Sequence, residues 1–525
     1  MESFDYIVIG AGTAGCIVAS RLAARRRVLL LEAGGTDRRF WVAVPIGYGR
    51  TFANPAVNWM YQAEPDAALD GRCAYVSRGK LLGGSGAINA MVYVRGQPHD
   101  YDDWRALGNP GWSFEDVRPL FERAERQIHL TDISSFAHPL THAYLESSRR
   151  VGLPVSDNFN GSQMEGVGIY RFTTRGGTRD STARSYLRPA LRAAGNSLQL
   201  RLHAHTLRVL VEQRRAVGVQ YRHRGRTLEA RASRGVILCA GSVNTPQLLQ
   251  LSGLGPAPLL ARHGIPLLNN MPAVGRNLQD HLAVSYFYRS TIPTLNNELH
   301  PWHGKLRAIA RYLTTRSGPL SMSVNQGGGF VRSDPSQQHP NLQLYFNPMS
   351  FTTTTGLQRR LLKPDPFPAF LISCNASRPT SRGHLEIRSA NPFEQPAIYM
   401  NSLSTEQDVA EVLAGTQLLR QITATAPLGD YNAGEFLPGA AAQSDADRLA
   451  DFRRRAWSVF HLVGTCAMGP DPASAVVDAR LRVHGVEALR IVDSSIFPTV
   501  TSGNTNAPTI MVAEKGAALI AEDER

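Results

Sequence analysis

Acidic residues, lysines and long apolar runs are all scarce in this chain. Its 525 residues carry 56 basic but only 43 acidic side chains, which gives a formal net charge of +13 at pH 7. The only lysines are Lys80, Lys305, Lys363 and Lys515, and the arginines are scattered. This pattern predicts solvated arginine faces and no nucleic-acid partner. It also disfavours a cationic substrate, because the field of the protein repels cations.

Apolar runs that could cross a bilayer are missing as well. No run approaches the roughly 18–20 apolar residues that a spanning helix needs. The opening residues, MESFDYIVIGAG, lack a basic segment ahead of an apolar stretch, so they predict a buried strand rather than a secretion signal. We therefore expect a cytoplasmic protein without a transmembrane segment, for which peripheral membrane association stays possible.

Cysteine is rare and dispersed. The five cysteines are Cys16, Cys73, Cys239, Cys374 and Cys466. They form no CxxC pair and no zinc-ligand spacing, so no metal site is expected. An odd, scattered count is typical of a reducing compartment. An apolar content of 43% predicts a globular protein, and the length allows about two to four domains.

The first forty residues predict a dinucleotide site. In FDYIVIGAGTAGCIVASRLAARRRVLLLEAGG, an apolar strand leads into Gly10, Gly12 and Gly15, a helix follows, and a second strand ends at Glu32. Gly10 allows the tight turn, Gly12 lets the backbone approach a pyrophosphate at the helix N-terminus, and Gly15 lets helix and strand pack closely. Glu32 can accept hydrogen bonds from a ribose.

Only one such motif is present. LLGGSGAIN lacks the preceding strand and the acidic residue, and NQGGGF lacks the following helix. Flavoprotein reductases that use pyridine nucleotides usually carry two dinucleotide motifs. A single site therefore indicates one tightly held cofactor, with the electrons supplied by an organic substrate.

Several longer motifs make the interpretation specific. They are RGKLLGGSGAINAMVYVRGQPHDYDDW, TTRGGTRDSTARSYLRPAL, VILCAGSVNTPQLLQLSGLGP, VGRNLQDHL, PTSRGHLEIRSANP, HLVGTCAMGPDP and LRIVDSSIFPTVTSGNTNAPTIMVAEKGAALI. In this order they resemble the glucose–methanol–choline (GMC) flavoprotein oxidoreductases, most closely their choline-dehydrogenase-like bacterial branch. The likeness covers nearly the whole chain.

The resemblance implies an α/β fold with two parts. A Rossmann-like FAD-binding domain with a mostly parallel sheet is joined to a substrate domain with an antiparallel sheet. The expected FAD-binding segments are 1–155, 200–295 and 455–525, the last of which also carries the catalytic residues. Residues 156–199 are expected to enter the substrate domain, and residues 296–454 to form it. The segment from about Trp41 to Asn58 is a candidate lid.

The resemblance also implies which residues contact FAD. They are Gly10, Gly12, Thr13, Ala14, Gly15, Glu32, Ala33, Leu82, Gly83, Ser85, Asn89, Ala90, Met91, Val92, Thr206, Asp493, Ser494, Asn504, Thr505 and Asn506. Thr206 takes the adenine-contacting position, and the last five lie near the isoalloxazine ring.

Two residues are implied to be catalytic. His461, at the start of HLVGTCAMG, matches the family's catalytic base, which removes the hydroxyl proton of an alcohol while hydride passes to flavin N5. Free imidazole titrates near pH 6.5, so a neutral ring is available for this step. The second catalytic position, histidine or asparagine in the family, falls on Asn504. Asn506 is the alternative, although a flavin contact suits it better.

At three positions the sequence departs from the family pattern, and each departure changes what we expect of the cofactor or the substrate. Ile88 stands where some choline oxidases attach FAD through histidine, so FAD should be non-covalent. Gly86 follows Ser85 where many relatives have a second serine, which puts one polar flavin contact in doubt. Gln326 stands where choline-oxidising members tend to place a glutamate, which argues against choline and favours a neutral primary alcohol.

The sequence leaves the electron acceptor and some alternatives open. Electrons could pass to O2, as in an oxidase, or to a quinone or other acceptor, as in a dehydrogenase, which likeness favours. Hydroxynitrile lyases and a light-driven fatty-acid decarboxylase share the family fold. A non-catalytic flavin-binding role is disfavoured by the intact pair His461 and Asn504.

Overall fold

The computed structural model describes residues 2–161, 163–352 and 363–524. The helices are α1 (Thr13–Leu22), α2 (Phe40–Ala43), α3 (Tyr48–Thr51), α4 (Pro98–Ala106), α5 (Phe114–Gln127), α6 (Pro139–Arg150), α7 (Arg188–Ala193), α8 (Gly241–Leu251), α9 (Ala257–Arg262), α10 (Leu295–Leu299), α11 (Trp302–Thr315), α12 (Glu406–Ala424), α13 (Asp445–Arg455) and α14 (Asn506–Glu522). Within these described residues, no helix has the length and apolar character needed to span a membrane.

The strands are β1 (Glu2–Ile9), β2 (Val28–Leu31), β3 (Tyr61–Asp66), β4 (Arg72–Val76), β5 (Leu130–Thr131), β6 (Gly166–Ile169), β7 (Phe172–Arg175), β8 (Thr178–Arg179), β9 (Leu198–Arg201), β10 (Ala204–Glu212), β11 (Arg215–His223), β12 (Arg226–Leu238), β13 (Leu254–Gly255), β14 (Asn269–Asn270), β15 (Leu282–Ser290), β16 (Gly327–Val331), β17 (Leu342–Asn347), β18 (Phe351–Thr352), β19 (Lys363–Pro364), β20 (Ala369–Ala376), β21 (His384–Glu386), β22 (Ala397–Tyr399), β23 (Asn432–Leu437), β24 (Trp457–Ser458) and β25 (Leu489–Ile491).

The first large sheet has the order β10-β11-β12-β1-β2-β9, with β25 also paired to β12. The pairs of β1 with β12, β1 with β2, β2 with β9 and β12 with β25 are parallel, whereas β10, β11 and β12 pair antiparallel. The second half of β1, residues 6–9, and the whole of β2 are continuous apolar, buried runs, which is typical of strands covered on both faces. The expected mostly parallel sheet is confirmed.

The second large sheet has the order β23-β15-β20-β17-β16-β6, with β24 paired to β15. All of its pairs are antiparallel. Alternate residues of β15 face opposite sides: Val284, Tyr286 and Tyr288 join an apolar cluster with α6 and α12, as the period of two in a strand requires. The expected α/β fold with one mostly parallel and one antiparallel sheet is therefore confirmed.

The division of the chain into domains stays a prediction. Strands of the first sheet come from residues 2–31, 198–238 and 489–491. Strands of the second come from 166–169, 282–290, 327–331, 342–347, 369–376, 432–437 and 457–458. Residues 282–290 therefore lie in the antiparallel sheet, although the sequence prediction assigns them to the second FAD-binding segment.

The two ends of the chain pack together on the first sheet. α14 lies against α1, and Arg21 of α1 forms an ion pair at 2.7 Å with the buried carboxylate of Glu514 on α14. The hydroxyl of Tyr6 on β1 donates to Glu524 at 2.7 Å. The first sheet and its helices are thus completed by the last residues of the chain.

Candidate active site

One cavity of about 890 Å³ connects the glycine turn after β1 with His461. It is lined by most of the predicted cofactor-binding and catalytic residues, which come from four distant parts of the chain. The predicted residues on its wall are Gly10, Gly12, Thr13, Ala14, Glu32, Ala33, Ser85, Asn89, Ala90, Met91, Val92, Thr206, His461, Asp493, Ser494, Asn504, Thr505 and Asn506.

Three predicted residues, Gly15, Leu82 and Gly83, do not line the cavity. A Cβ on Gly15 would lie 1.8 Å from the carbonyl oxygen of Gly10, so glycine is needed to pack α1 against the turn. Leu82 is buried in the apolar core of the first sheet, and the backbone N–H of Gly83 donates to the carbonyl of Ala11. These three residues support the glycine turn on the side away from the cavity.

The glycine turn and its surroundings fit FAD. Gly10 has a φ of +94°, and a Cβ there would lie 2.5 Å from the carbonyl oxygen of Cys239, so only glycine suits this turn. α1 then begins beside the cavity, where its free N–H groups and dipole stabilise a pyrophosphate. The hydroxyl of Thr206 is buried at the cavity wall and has no hydrogen-bond partner within the described residues. An orphaned hydroxyl at the expected adenine position is what a bound dinucleotide would satisfy.

Glu32 also organises the turn itself. Its two carboxylate oxygens accept from the backbone N–H groups of Ala11, at 2.9 Å, and Gly34, at 2.7 Å. Burial raises the pKa of Glu32 to about 7, although both hydrogen bonds lower it. Each oxygen keeps a lone pair that can accept from a ribose hydroxyl.

Gly86 is explained by a hydrogen bond between the two ends of the chain. The hydroxyl of Thr13 donates to Oδ1 of Asn506 at 2.9 Å. A Cβ on Gly86 would lie 2.6 Å from that hydroxyl oxygen. The Thr13 hydroxyl therefore occupies space that a side chain at residue 86 would need. Ser85 turns its hydroxyl to the backbone, accepting from Gly79 N–H at 3.1 Å.

Hydrogen bonds to the backbone around His461 fix the position of this residue. It follows β24 and Phe460, whose φ of +66° is strained for a bulky residue. The guanidinium of Arg78 donates to the carbonyl of Phe460 at 2.6 Å. The carboxylate of Asp280 accepts from the backbone N–H groups of His461, at 2.7 Å, and His281, at 2.9 Å. The other carboxylate oxygen accepts from the hydroxyl of Ser458.

A chain of hydrogen bonds assigns the protons on the two imidazoles. Nε2 of His281 lies 2.8 Å from the carbonyl oxygen of Ser377, which can only accept, so this nitrogen carries a proton. In the neutral ring, Nδ1 of His281 must then accept from Nδ1 of His461, 2.8 Å away. Nε2 of His461 is therefore left without a proton.

Asn504 supports the same assignment from the other side. Its Nδ2 donates to Nε2 of His461 at 3.1 Å. Its Oδ1 accepts from the amide of Gln343 at 3.3 Å, which keeps the NH2 group directed at His461. A bare imidazole nitrogen and an amide donor thus face each other at the cavity wall.

Both rings remain neutral well into the acidic range. Burial lowers the pKa of His281 to about 4. Burial lowers the pKa of His461 well below 6.5, and His281 and Arg78 lower it further by electrostatic repulsion. Burial raises the pKa of the Asp280 carboxyl to about 6. A neutral His461 can accept a proton at physiological pH.

The wall beyond His461 changes from polar to apolar. Alternate residues of the antiparallel sheet face the cavity, and the hydroxyls of Ser285 and Ser373 bond to each other there at 2.7 Å. The hydroxyl of Tyr345 is buried at this wall beside the side chain of Asn504. Other residues on this wall are Phe287, Val324, Asn347, Phe351, Leu371 and Leu437. Tyr48 and Phe52, from the candidate lid, line the cavity too.

Gln326, which stands where choline-oxidising members tend to place a glutamate, does not line the cavity. Its Oε1 accepts from the backbone N–H of His138, at 2.8 Å, and from the hydroxyl of Thr141, at 3.0 Å. The amide satisfies the beginning of α6, where a helix leaves N–H groups without partners.

Sequence reasoning missed Arg78, Asp280, His281 and Tyr345. Three of them stand in recognised motifs: Arg78 in RGKLLGGSGAIN, and Asp280 and His281 in VGRNLQDHL. The motifs themselves could be recognised, but no sequence pattern shows that they contact His461, which lies 180 positions from His281. Tyr345 stands in no motif, and its role follows only from its buried hydroxyl at the cavity wall beside Asn504.

Comparisons with known proteins give one family. Models of the GMC oxidoreductases match residues 4–283 and 379–513. The chain is 37% identical to an alcohol dehydrogenase [acceptor] of Pseudomonas putida, over 98% of this chain and 95% of that protein. It is 40% identical to mitochondrial choline dehydrogenase of Mus musculus, over 99% of this chain and 89% of that one. The structure of pyridoxine 4-oxidase from Mesorbium loti matches with a TM-score of 0.87 and 27% identity, covering 98% of each chain.

Proposed function

The chain belongs to the GMC oxidoreductase family, and from this premise we propose that it oxidises an uncharged primary alcohol to an aldehyde with His461 as the base. It is an FAD-dependent enzyme that acts on CH–OH groups. The observation that carries the finer proposal is the bare Nε2 of His461, which faces the amide of Asn504 at 3.1 Å.

The residues of the cavity divide the reaction between them. The hydroxyl of the substrate donates to Nε2 of His461 and accepts from Nδ2 of Asn504, in place of the bond that these two residues make to each other. His461 takes the hydroxyl proton, and Asn504 stabilises the negative charge that develops on the oxygen. His281 and Asp280 hold the ring in position. Bound FAD supplies the acceptor for the hydride that leaves the carbinol carbon.

The charges on the cavity wall support a neutral substrate. The acidic residues that line the cavity in the described part of the chain are Glu32 and Asp493. Glu32 bonds the glycine turn, and Asp493 accepts from the backbone of Gly241 and the hydroxyl of Thr245. Arg78 lines the cavity beside His461. The Asp280 carboxylate behind His461 does not line the cavity, and it accepts from two backbone N–H groups and from Ser458. A cation at the reacting end would therefore meet a cation and no free carboxylate.

The experiment that tests the function is an anaerobic screen of alcohols. Bleaching of the flavin by neutral primary alcohols, with aldehyde as the product, supports the proposal. A lyase or a light-driven decarboxylase on the same fold would act without such bleaching. We propose a dehydrogenase that passes electrons to a quinone or other acceptor, so the reduced flavin should reoxidise slowly when air is admitted.

We predict that FAD is held non-covalently. Ile88 is buried at the cavity wall, and an aliphatic side chain cannot form a bond to the flavin. Acid precipitation should release all of the yellow colour into the supernatant. Flavin that stays in the denatured pellet would show that another residue is attached to it.

The pH dependence of flavin reduction should report Asp280 rather than a histidine. The ionised carboxylate holds the backbone of both histidines, so activity is present above pH 6 and falls as the pH drops through about 6. The fall should be roughly fivefold, because a bond to a charged acceptor is about 1 kcal/mol stronger than one to a neutral acceptor. The histidine rings stay neutral in this range.

Asp280→Asn provides the control for this assignment. The amide oxygen can still accept from both N–H groups, but it does not titrate. The variant should therefore be slower at pH 8 and should show a flat profile between pH 8 and pH 5. An unchanged acidic limb in this variant would assign the limb to a histidine instead.

Tyr345→Phe should slow flavin reduction about three- to tenfold. Burial raises the pKa of Tyr345 well above 10, so its hydroxyl remains a donor that can reach the substrate oxygen beside Asn504. The loss corresponds to one neutral hydrogen bond. Tyr144 is the matched control, since its hydroxyl is also buried but lies outside the cavity. Equal rates of flavin reduction in the Tyr345→Phe and Tyr144→Phe variants would show that the Tyr345 hydroxyl does not contact the substrate.

A further inference from the structure

One row of hydroxyl groups crosses the cavity face of the antiparallel sheet. Ser285 of β15 lies opposite Ser373 of β20, and Ser373 lies opposite Tyr345 of β17. All three side chains line the cavity. Two residues further along β15, Phe287 lies opposite Leu371, and both of these line the cavity as well. The row of hydroxyls is therefore followed by an apolar part of the same wall.

The two serines leave one hydroxyl hydrogen unused. Their Oγ atoms lie 2.7 Å apart, and either of them can be the donor. The pair has two hydroxyl hydrogens, and this bond uses one. Within the described residues, neither hydroxyl makes a second hydrogen bond. Ser285 and Ser373 are only 7% and 2% exposed, and a buried donor without a partner is costly. The second hydrogen is therefore available to a molecule that enters the cavity.

The serine pair is not needed to join the two strands. β15 and β20 pair through their backbones over residues 283–289 and 369–375. On the opposite face of the sheet the neighbouring residues Val284, Tyr286 and Ile372 belong to an apolar cluster. Apolar side chains on the cavity face would serve the sheet equally well, and they would avoid the unused hydrogen. The two small polar residues instead leave a recess in the wall with a donor at its base.

A second polar pair on this wall already has its partners. The side chains of Asn325 and Asn347 line the cavity beyond Tyr345. The NH2 group of Asn347, in the orientation that satisfies its neighbours, donates to Oδ1 of Asn325 at 2.6 Å and to the carbonyl of Val324 at 3.2 Å. The serine pair, with its spare hydrogen, is therefore the better site for a polar group of the substrate.

The serine pair lies about one residue row from the groups that hold the reacting oxygen. Gln343, two residues before Tyr345 on β17, donates to Asn504. Residues two apart on a strand are separated by about 6.6 Å, and Ser373 is opposite Tyr345. An oxygen bound by the serines therefore lies roughly 6–7 Å from one bound by His461 and Asn504. Five bonds of an extended chain span about 6 Å, at about 1.2 Å per bond.

We propose that the substrates are uncharged α,ω-diols of about four carbons, and that Ser285 and Ser373 bind the hydroxyl that does not react. This inference rests on the proposed oxidation by His461 and names the substrate class of that reaction. A hydroxyl suits the pair because it accepts the spare serine hydrogen and donates to a serine lone pair. A methyl group does neither. The bound hydroxyl keeps its proton, so the product is a hydroxyaldehyde.

The test compares 1,4-butanediol with 1-pentanol, in which a methyl group replaces one hydroxyl. Anaerobic stopped-flow flavin reduction gives kcat/KM for each alcohol, and the value for the diol is halved because it has two equivalent ends. In the variant Ser285→Ala with Ser373→Ala, the ratio of diol to alkanol should fall about tenfold or more, since two neutral hydrogen bonds are lost. Differences in hydration between the two alcohols cancel when the variant is compared with the wild type.

Chain length provides a second test that needs no variant. Each diol from 1,2-ethanediol to 1,6-hexanediol is compared with the alkanol in which one hydroxyl is replaced by methyl. In the wild type this ratio should be highest near four carbons, because the two binding points are fixed. A ratio that does not depend on chain length would overturn the proposal.

Ser290→Ala is the matched control. Ser290 is a buried serine of the same strand β15 that does not line the cavity, and its hydroxyl donates to the carbonyl of Ile292 at 2.8 Å. This variant should keep the wild-type ratio. Flavin reduction by both alcohols with equal ratios in the wild type and the double alanine variant would overturn the diol site and leave the proposed oxidation standing. No flavin reduction by either alcohol would contradict both.

Discussion

His461→Ala should reduce the rate of anaerobic flavin reduction by about 10²–10⁴-fold, the usual contribution of a positioned general base. The variant should keep its fold and its FAD, because the ring contacts His281 and Asn504 rather than the glycine turn. Stopped-flow mixing with a good alcohol substrate measures the rate directly. The flavin spectrum before mixing provides the control for cofactor content.

Asn504→Ala measures the contribution of the amide donor to flavin reduction separately from that of the base, His461. Loss of an oxyanion donor costs at most about 3–4 kcal/mol, so this variant should slow reduction by no more than roughly 10³-fold. If both residues act on the same oxygen, the double variant should lose less than the sum of the two single losses. A His461→Ala enzyme that reduces its flavin at nearly the wild-type rate would contradict the mechanism.

Choline should be oxidised at least about 10²-fold less efficiently than 3,3-dimethyl-1-butanol, which has the same shape with carbon in place of the charged nitrogen. An unpaired ammonium in a buried site costs several kcal/mol, and each 1.4 kcal/mol is tenfold in kcat/KM. Arg78 beside His461 increases that cost. This matched pair of substrates isolates charge from size.

The comparison of choline with the neutral alcohol is informative because the relatives of the chain do not show which substrate it prefers. Choline dehydrogenases and an alcohol dehydrogenase [acceptor] are similarly close to this chain. A choline kcat/KM equal to that of the neutral alcohol would mean that the wall of the antiparallel sheet supplies a cation site without a carboxylate. The aromatic side chains of Phe287 and Tyr345 would then be the first candidates.

The parts of the site that follow local rules could be predicted from the sequence. The strand, turn and helix around Gly10, Gly12 and Gly15 are set by backbone geometry within a few residues, and the structure has the strand and the helix where the sequence predicts them. The family was recognised from ordered motifs and is confirmed. His461 and Asn504 came from that resemblance, and the structure brings them into hydrogen-bond contact.

The parts that depend on packing between sheets could not be predicted. His281 and Asp280 reach His461 because the start of β15 pairs with β24, and no spacing in the sequence reports that contact. Gln326 is a second case. Its match to a glutamate position of the family suggested a place at the substrate site, but the side chain turns away from the cavity to the beginning of α6. Whether a strand residue faces a cavity or a core depends on the pairing register of its strand, and that register could not be predicted from the sequence.

The packing of α14 on α1 has a consequence for synthesis of the protein. The walls around the glycine turn include residues 493–506, and β25 at residues 489–491 completes the parallel sheet. These segments are synthesised after β1 and α1, since chains emerge from the N-terminus at about 5–20 residues per second. A nascent chain that ends before residue 489 holds β1 and α1 but lacks β25 and the helix that packs on α1. The wall around the glycine turn is therefore complete only once residue 506 has been synthesised.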